Sequence, residues 1–145
     1  MLSTKHRAKP ERGNSRRGAT TVEMAVVLGP LLLIIFGSIE FERALMVSHA
    51  LEEAARAGCR IAILKGSTTE SVAAEMSPIL DSCGIDKFTI NIEPKNVSSA
   101  QRWEPVSVTI EAQYKEVSWI PVPTFLSNAR LTGSCTMPKE YSDNE

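Results

Sequence analysis

The sequence predicts an α+β fold in which a long N-terminal helix packs on a small head. An uncharged apolar run covers residues 24–39, and small and apolar residues continue after it with helical spacing. Farther along the chain, apolar and polar residues alternate in the manner of β-strands. We therefore expect one long transmembrane and amphipathic helix, a second helix, and a three- to four-stranded antiparallel sheet whose apolar face the long helix covers.

Composition excludes several classes of protein. Of the 145 residues, 43% are hydrophobic and 23% are charged, which disfavours a wholly disordered chain, a collagen, a disulfide-dense miniprotein and a multidomain enzyme. Two histidines and three cysteines offer little material for a metal or acid–base site. His49 and Glu53 stand four residues apart, but a solvated helix face explains them. We expect no catalytic residue, no metal and no cofactor.

Residues 1–18 are expected to be a basic, unfolded leader on the cytoplasmic side. They carry six basic side chains and one acidic one, a net charge of +5, whereas the rest of the chain carries −6. Basic residues stay on the cytoplasmic side of a membrane helix, so the remainder is expected outside. This topology accounts for the basic leader without any nucleic acid as partner.

Residues 19–39 form the predicted transmembrane helix. The uncharged run alone would span about 24 Å, whereas 21 residues span about 31 Å, close to the thickness of the hydrocarbon core. The extension places Glu23 inside the apolar boundary. The exit from lipid is marked by three charged residues, Glu40, Glu42 and Arg43.

Residues 40–64 are predicted to be an amphipathic extension of the same helix, because no helix breaker occurs before Gly66. Residues 19–64 would then make one helix of about 69 Å. Its seam is rich in alanine and glycine, which suits close packing against another backbone. Glu52 and Arg56 are spaced as an ion pair on its polar side.

Residues 65–145 are predicted to form the extracytoplasmic head. Its helix is expected to start at a capping box from Ser67 to Glu70, to kink or shorten at Pro78, and to end at Gly84. Strands are predicted at residues 88–92, 106–114 and 131–137. The two tryptophans, Trp103 and Trp119, are expected to pack within the head.

The cysteines all follow the membrane segment, where disulfides can persist. Three single bridges are possible between Cys59, Cys83 and Cys135. We favour Cys83–Cys135, which would close a loop of about 53 residues and contribute about 2–4 kcal/mol. Cys59 lies on the apolar seam and is interpreted as a buried free thiol rather than a link between subunits.

Three interpretations of the apolar segment compete. A cleaved secretory signal fits the basic start, but the small residues suited to cleavage, at residues 48–50, are separated from the apolar run by three charged residues and at least one helical turn. A plain signal anchor explains length and orientation but leaves Glu23 without a role, because a carboxylate inside the boundary costs about 1–3 kcal/mol. The third interpretation uses Gly18 and Glu23 together.

Residues 16–23, of sequence RRGATTVE and followed by an apolar run, resemble the processing site of type IV prepilins. The stretch from Arg17 to Leu64 resembles the TadE-like pseudopilins of the tight-adherence (Flp, type IVb) pilus. The shared features are the Arg-Gly pair, a glutamate five residues after the glycine, an apolar run with a proline, FGSIEF at residues 36–41 and EEAARAG at residues 52–58.

The resemblance implies that a prepilin peptidase cuts between Gly18 and Ala19. The new ammonium group would lie one helical turn before Glu23, whose carboxylate would meet the freed N-terminus of a neighbouring subunit. Met24 stands where the family usually has Phe or Tyr, and its apolar character is kept. Pro30 removes one helical hydrogen bond and is expected to kink the helix.

The implied partners are other pilins or pseudopilins, the prepilin peptidase, the inner-membrane pilus assembly platform and the lipid bilayer. The implied location is the bacterial inner membrane, in a single pass with the N-terminus cytoplasmic, and with incorporation into a surface pilus as a further outcome. The rival hypothesis is a signal-anchored extracytoplasmic binding module, whose head recognises a ligand and whose helix is only a tether.

Overall fold

The structure is a computed structural model that describes residues 15–121, 123 and 125–140. It forms two compact units, Met1–Phe36 and Gly37–Glu145. The predicted leader therefore lies outside the described residues as far as residue 14. Its last four residues, predicted to be unfolded, are instead the first residues of the long helix, because no proline stands between Ser15 and the apolar run. The α+β class is confirmed, with a long helix, a second helix and a three-stranded antiparallel sheet.

Helix α1 is Ser15–Ala62 and continues through Pro30. It ends two residues before the predicted end. From Ala44 onward its apolar side is buried in the second unit and supplies eight side chains to the core: Ala44, Val47, Ala50, Leu51, Ala54, Ala55, Cys59 and Ala62. Their spacing of three and four residues is that of one helix face.

Helix α2 is Thr69–Ser82, and Pro78 does not shorten it. The capping box is one residue later than predicted, because Thr68 rather than Ser67 is the N-cap and exchanges hydrogen bonds with Ser71. Ser67 instead donates to the carbonyl of Ala62 at 2.8 Å. Val72, Met76 and Leu80 are buried along one face.

Gly84 follows the end of α2 with a φ of +65°, which a glycine adopts without strain. The amide of Gly84 donates to Asp81 and that of Ile85 donates to Leu80, both at 3.0 Å. These bonds satisfy the last carbonyl groups of the helix, so the chain reverses at the predicted residue.

The sheet has the order β1-β2-β3, with β1 at Thr89–Glu93, β2 at Pro105–Gln113 and β3 at Arg130–Pro138. Both pairings are antiparallel. A 3-10 turn, Val97–Ser99, lies between β1 and β2, and a short helix α3, Tyr114–Val117, follows β2. Tyr114 thus belongs to this helix and not to the predicted strand.

The central strand β2 buries one face completely, with Val106, Val108, Ile110 and Ala112 at its alternate positions. In the register, Ile110 is opposite Ile90 on one side and Gly133 on the other. The other face carries polar groups such as Ser107 and Thr136, whose hydroxyls are 2.8 Å apart. One face therefore joins the core and the other faces solvent.

Two glycines allow close packing against α1. A side chain at Gly133 of β3 would overlap the backbone of Leu51, and its Cβ would lie 2.5 Å from the amide nitrogen of Glu52. A side chain at Gly58 of α1 would meet Met76 of α2, with its Cβ 2.5 Å from the Met76 sulfur. The small-residue seam thus accommodates both the sheet and α2.

Candidate functional site

The apolar half of α1 is an exposed hydrophobic helix. Among the described residues, α1 is the one helix that is long and apolar enough to cross a membrane, and none of its apolar window is buried. Between Gly18 and Ile39 the only charged residue is Glu23. An exposed apolar surface of this length requires an apolar surrounding, because a soluble monomer rarely exposes one.

The predicted processing residues all lie on this part of α1. Gly18, Ala19, Glu23, Met24 and Pro30 are exposed. Ala19 and Glu23 are four residues apart on a continuous helix, so the structure places them one turn apart on the same face. Space is open around Gly18, where a Cβ would have no neighbour within 4 Å.

Glu40, one of the three charged residues predicted to mark the exit from lipid, is buried against the chain that follows β2. Its carboxylate oxygen Oε2 accepts hydrogen bonds from the backbone amides of Phe125 and Leu126, at 2.9 and 3.0 Å. Its carbonyl oxygen accepts from the hydroxyl of Tyr114 at 3.0 Å. A buried carboxylate is stable in such a setting because several donors replace its water.

Arg43 is buried one turn later on the same side of α1. Its Nε donates to the carbonyl of Val117 at 2.8 Å, and its Nη2 donates to the carbonyl of Cys83 at 3.0 Å. Its guanidinium carbon lies 4.6 Å from the centre of the Trp119 ring. Arg43 thus joins α1 to the ends of both α2 and α3.

We call Glu40 and Arg43 the head clamp. The two residues hold the chain after β2 against α1, directly beyond the apolar segment. The sequence did contain a signal for this role, because Glu40, Arg43 and Val47 share the spacing of the buried face. The charges at the edge of the apolar run predicted only where the helix leaves the lipid, and not that two of them are buried. Glu42, on the other side of the helix, is exposed.

The three cysteines are free, and the structure does not bring Cys83 and Cys135 together. Cys59 donates to the carbonyl of Cys135 at 3.0 Å. The carbonyl of Cys83 is bound to Arg43, which precedes Cys59 by 16 residues or about 24 Å of helix. The predicted pairing of Cys83 with Cys135 is therefore corrected: Cys135 of β3 lies at the level of Cys59.

Burial raises the pKa of the Cys59 thiol to about 12, with a further contribution from the hydrogen bond to the Cys135 side chain. A thiol with this pKa is protonated at neutral pH and acts as a hydrogen-bond donor, not as a nucleophile. Cys59 is a buried free thiol here, in agreement with its interpretation from the sequence. No group of three metal-ligating side chains occurs in the described part of the chain.

Both tryptophans are exposed, contrary to the prediction that they pack in the head. Trp103 lies near Ile63, just past the end of α1, and its amide donates to the carbonyl of Lys139. Trp119 lies against Arg43, far along α1 from the end that Trp103 lies near.

Comparison with known proteins gives one match. Residues 18–60 match the family of TadE-like proteins, which confirms the resemblance over this stretch. The match covers less than half of the chain. No curated protein and no solved structure matches it.

Proposed function

We propose that this protein is a minor pseudopilin that takes part in assembling a tight-adherence pilus, and that it has no enzymatic activity of its own. The TadE-like family associates the chain with this pilus, and the exposed apolar helix supports a membrane-anchored component. The observation that carries the proposal is the extent of the match, which includes both the apolar half of α1 and the head clamp.

Processing would occur between Gly18 and Ala19. Glycine lets an extended backbone enter a peptidase cleft, and the open space around Gly18 on α1 is compatible with access. Local unwinding of the first turns of the helix is required, because peptidases bind extended substrates. The cut would remove the basic leader, which has by then set the orientation.

The freed ammonium of Ala19 and the carboxylate of Glu23 would act between subunits. Each charge is unfavourable alone in a low-dielectric surrounding, and the pair is favourable when the two groups meet. Glu23 is exposed among apolar side chains, so it is accessible to a neighbouring helix. This arrangement favours docking of a processed subunit over an unprocessed one.

The mature N-terminus tests the proposal. Mass spectrometry of the protein purified from its own cells should find chains that begin at Ala19. Gly18→Ile should leave the leader in place, whereas Gly13→Ile, inside the leader, should leave processing unchanged. A wild-type chain that retains Met1 in cells possessing the peptidase would favour the rival, an anchored extracytoplasmic binding module.

A second experiment tests the carboxylate. Glu23→Ala should still insert into membranes, as measured by flotation, but should be lost from sheared pilus fractions. Glu42→Ala, an exposed glutamate outside the apolar segment, is the matched control and should co-purify normally. Incorporation of the Glu23 variant at wild-type levels would contradict the assembly role.

A further inference from the structure

Exposed aromatic and aliphatic side chains are grouped around the first turns of α1 in the compact unit Gly37–Glu145, which we call the head from here on. Trp119 is 62% exposed, Phe125 is 54% exposed and Phe41 is 59% exposed. Leu45, one turn after Phe41, is also exposed. We call these four residues the collar. The head has a well-formed core elsewhere, so the collar is not the result of loose packing.

The head clamp fixes the height of the collar along α1. The amide of Phe125 is bound by Glu40, and its ring is 3.5 Å from the position that a Cβ at Gly37 would occupy. Trp119 is stacked on Arg43. The aromatic side chains are therefore held between the levels of Gly37 and Arg43, about 9 Å apart along the helix.

This interval coincides with the expected membrane interface. Twenty helical residues span a hydrocarbon core of about 30 Å, and counting from Ala19 they end at Ser38. The headgroup layer on each side adds about 5–7 Å. Phe125 is thus level with the edge of the hydrocarbon, and Trp119, about 7.5 Å beyond Ser38, is level with the outer part of the headgroup layer. Aromatic side chains concentrate at this depth because their rings are apolar and their edges are polar.

We propose that the collar docks the head onto the surface of the bilayer that α1 crosses, with lipid headgroups and upper acyl chains as its occupant. This inference rests on the membrane anchoring in the proposed function. It explains why the aromatic residues on the loop after α3 are exposed, although buried Glu40 and Arg43 bind the backbone of the same part of the chain to α1. The collar holds the head at a set height and has to leave the lipid before the subunit can leave the membrane.

The two tryptophans supply a matched pair of probes. Trp103 is 67% exposed and lies just beyond Ala62, about 38 Å along α1 from Gly37, so it should remain in water. Trp103→Phe leaves Trp119 as the single reporter, and Trp119→Phe leaves Trp103. Both substitutions are conservative and exposed, so both full-length variants should fold.

The experiment is fluorescence quenching in vesicles of phosphatidylethanolamine and phosphatidylglycerol. Lipids brominated near the headgroup should quench Trp119 at least threefold more than Trp103. Aqueous acrylamide should show the reverse order, and Trp119 emission should shift to shorter wavelength on insertion. Equal quenching of the two residues by brominated lipid would overturn the inference.

Flotation of the same vesicles separates the two proposals. Chains that float but leave Trp119 unquenched by brominated lipid would overturn the docking inference while membrane anchoring stands. Trp119 shielded from both acrylamide and lipid would mean that protein covers the collar, and would also overturn it. Chains that do not float would overturn the anchoring and the docking together.

Discussion

Single residues decide how the head is attached to its helix. Glu40 and Arg43 are charged, yet both are buried, and between them they bind the backbone of three separate segments. Such groups are stable only while their partners are in place, because a buried unpaired charge is far costlier than a solvated one. The attachment is therefore sensitive to single substitutions.

Glu40→Ala is expected to destabilise the head by about 2–4 kcal/mol, because the partly buried amides of Phe125 and Leu126 both lose their acceptor. Urea denaturation of the full chain in detergent, followed by circular dichroism, measures the change. Glu42→Ala is the control and should change the free energy of unfolding by less than about 0.5 kcal/mol. Equal effects of the two substitutions would contradict the role of the clamp.

Gly133→Ala is expected to cost about 2 kcal/mol or more, because the new methyl group would overlap the backbone of Leu51 and backbone does not yield as a side chain does. Ser134→Ala, the next residue on β3 and exposed on the solvent face, should be nearly neutral. The same denaturation measurement compares them. A Gly133 variant as stable as the wild type would mean that β3 and α1 can separate without loss.

Between elements, surface contacts add to the core packing. Lys87, just before β1, and Glu116 of α3 form an ion pair of 2.6 Å. The hydrogen bond and charge of Lys87 lower the pKa of Glu116, and Glu116 in turn raises the pKa of Lys87. Both groups are exposed, so the ion pair makes only a small contribution to the stability of the sheet edge.

The directions of these two pKa shifts determine how the ion pair's contribution to the stability of the fold depends on pH. The contribution of Glu116 is present above its ordinary pKa of 4.5 and is lost as the pH falls through the lowered value. That of Lys87 is present below 10.5 and is lost as the pH rises through the raised value. Lys87→Gln should therefore raise the pKa of Glu116 toward its ordinary value.

Carboxyl carbon NMR of Glu116 measures this shift. Lys65→Gln, an exposed lysine far from the pair in sequence, is the control and should leave the titration unchanged. High salt should reproduce part of the effect in the wild type, because it screens exposed charges. A Glu116 titration that is identical in the Lys87 variant would refute the assigned cause.

At the scale of the whole molecule, α1 belongs to two compact units, and its side chains have different surroundings in each. Its apolar half is exposed, whereas its second half contributes eight of the 21 buried apolar side chains of the head. The head is therefore not an independent domain joined to a tether, because it would lack over a third of this core without α1. The compact unit begins at Gly37, inside the helix.

This division predicts how fragments behave. A chain of residues 37–145 should unfold cooperatively in urea, because it contains the whole described core. A chain of residues 66–145 should bind a hydrophobic dye and show no cooperative transition, because its sheet and α2 have lost the helix that they cover. Cooperative unfolding of the shorter chain would mean that α1 is dispensable for folding.

Local patterns in the sequence were sufficient to predict the helices and strands. The apolar run, the small-residue seam, the alternation in β2 and the glycine after α2 each depend on residues within a few positions of one another. Propensity, capping and amphipathicity act over that range, so the α+β class and most boundaries could be derived without coordinates. The TadE-like resemblance also rests on contiguous residues.

Only the tertiary structure decided which charges are buried, which tryptophans are exposed and which cysteines are neighbours. Arg43 and Val117 are 74 residues apart, Glu40 and Leu126 are 86 apart, and Cys59 and Cys135 are 76 apart. No periodicity connects positions at such separations. These contacts depend on where the chain after β2 returns to α1, and that is set by the packing of the sheet on the helix through Gly133.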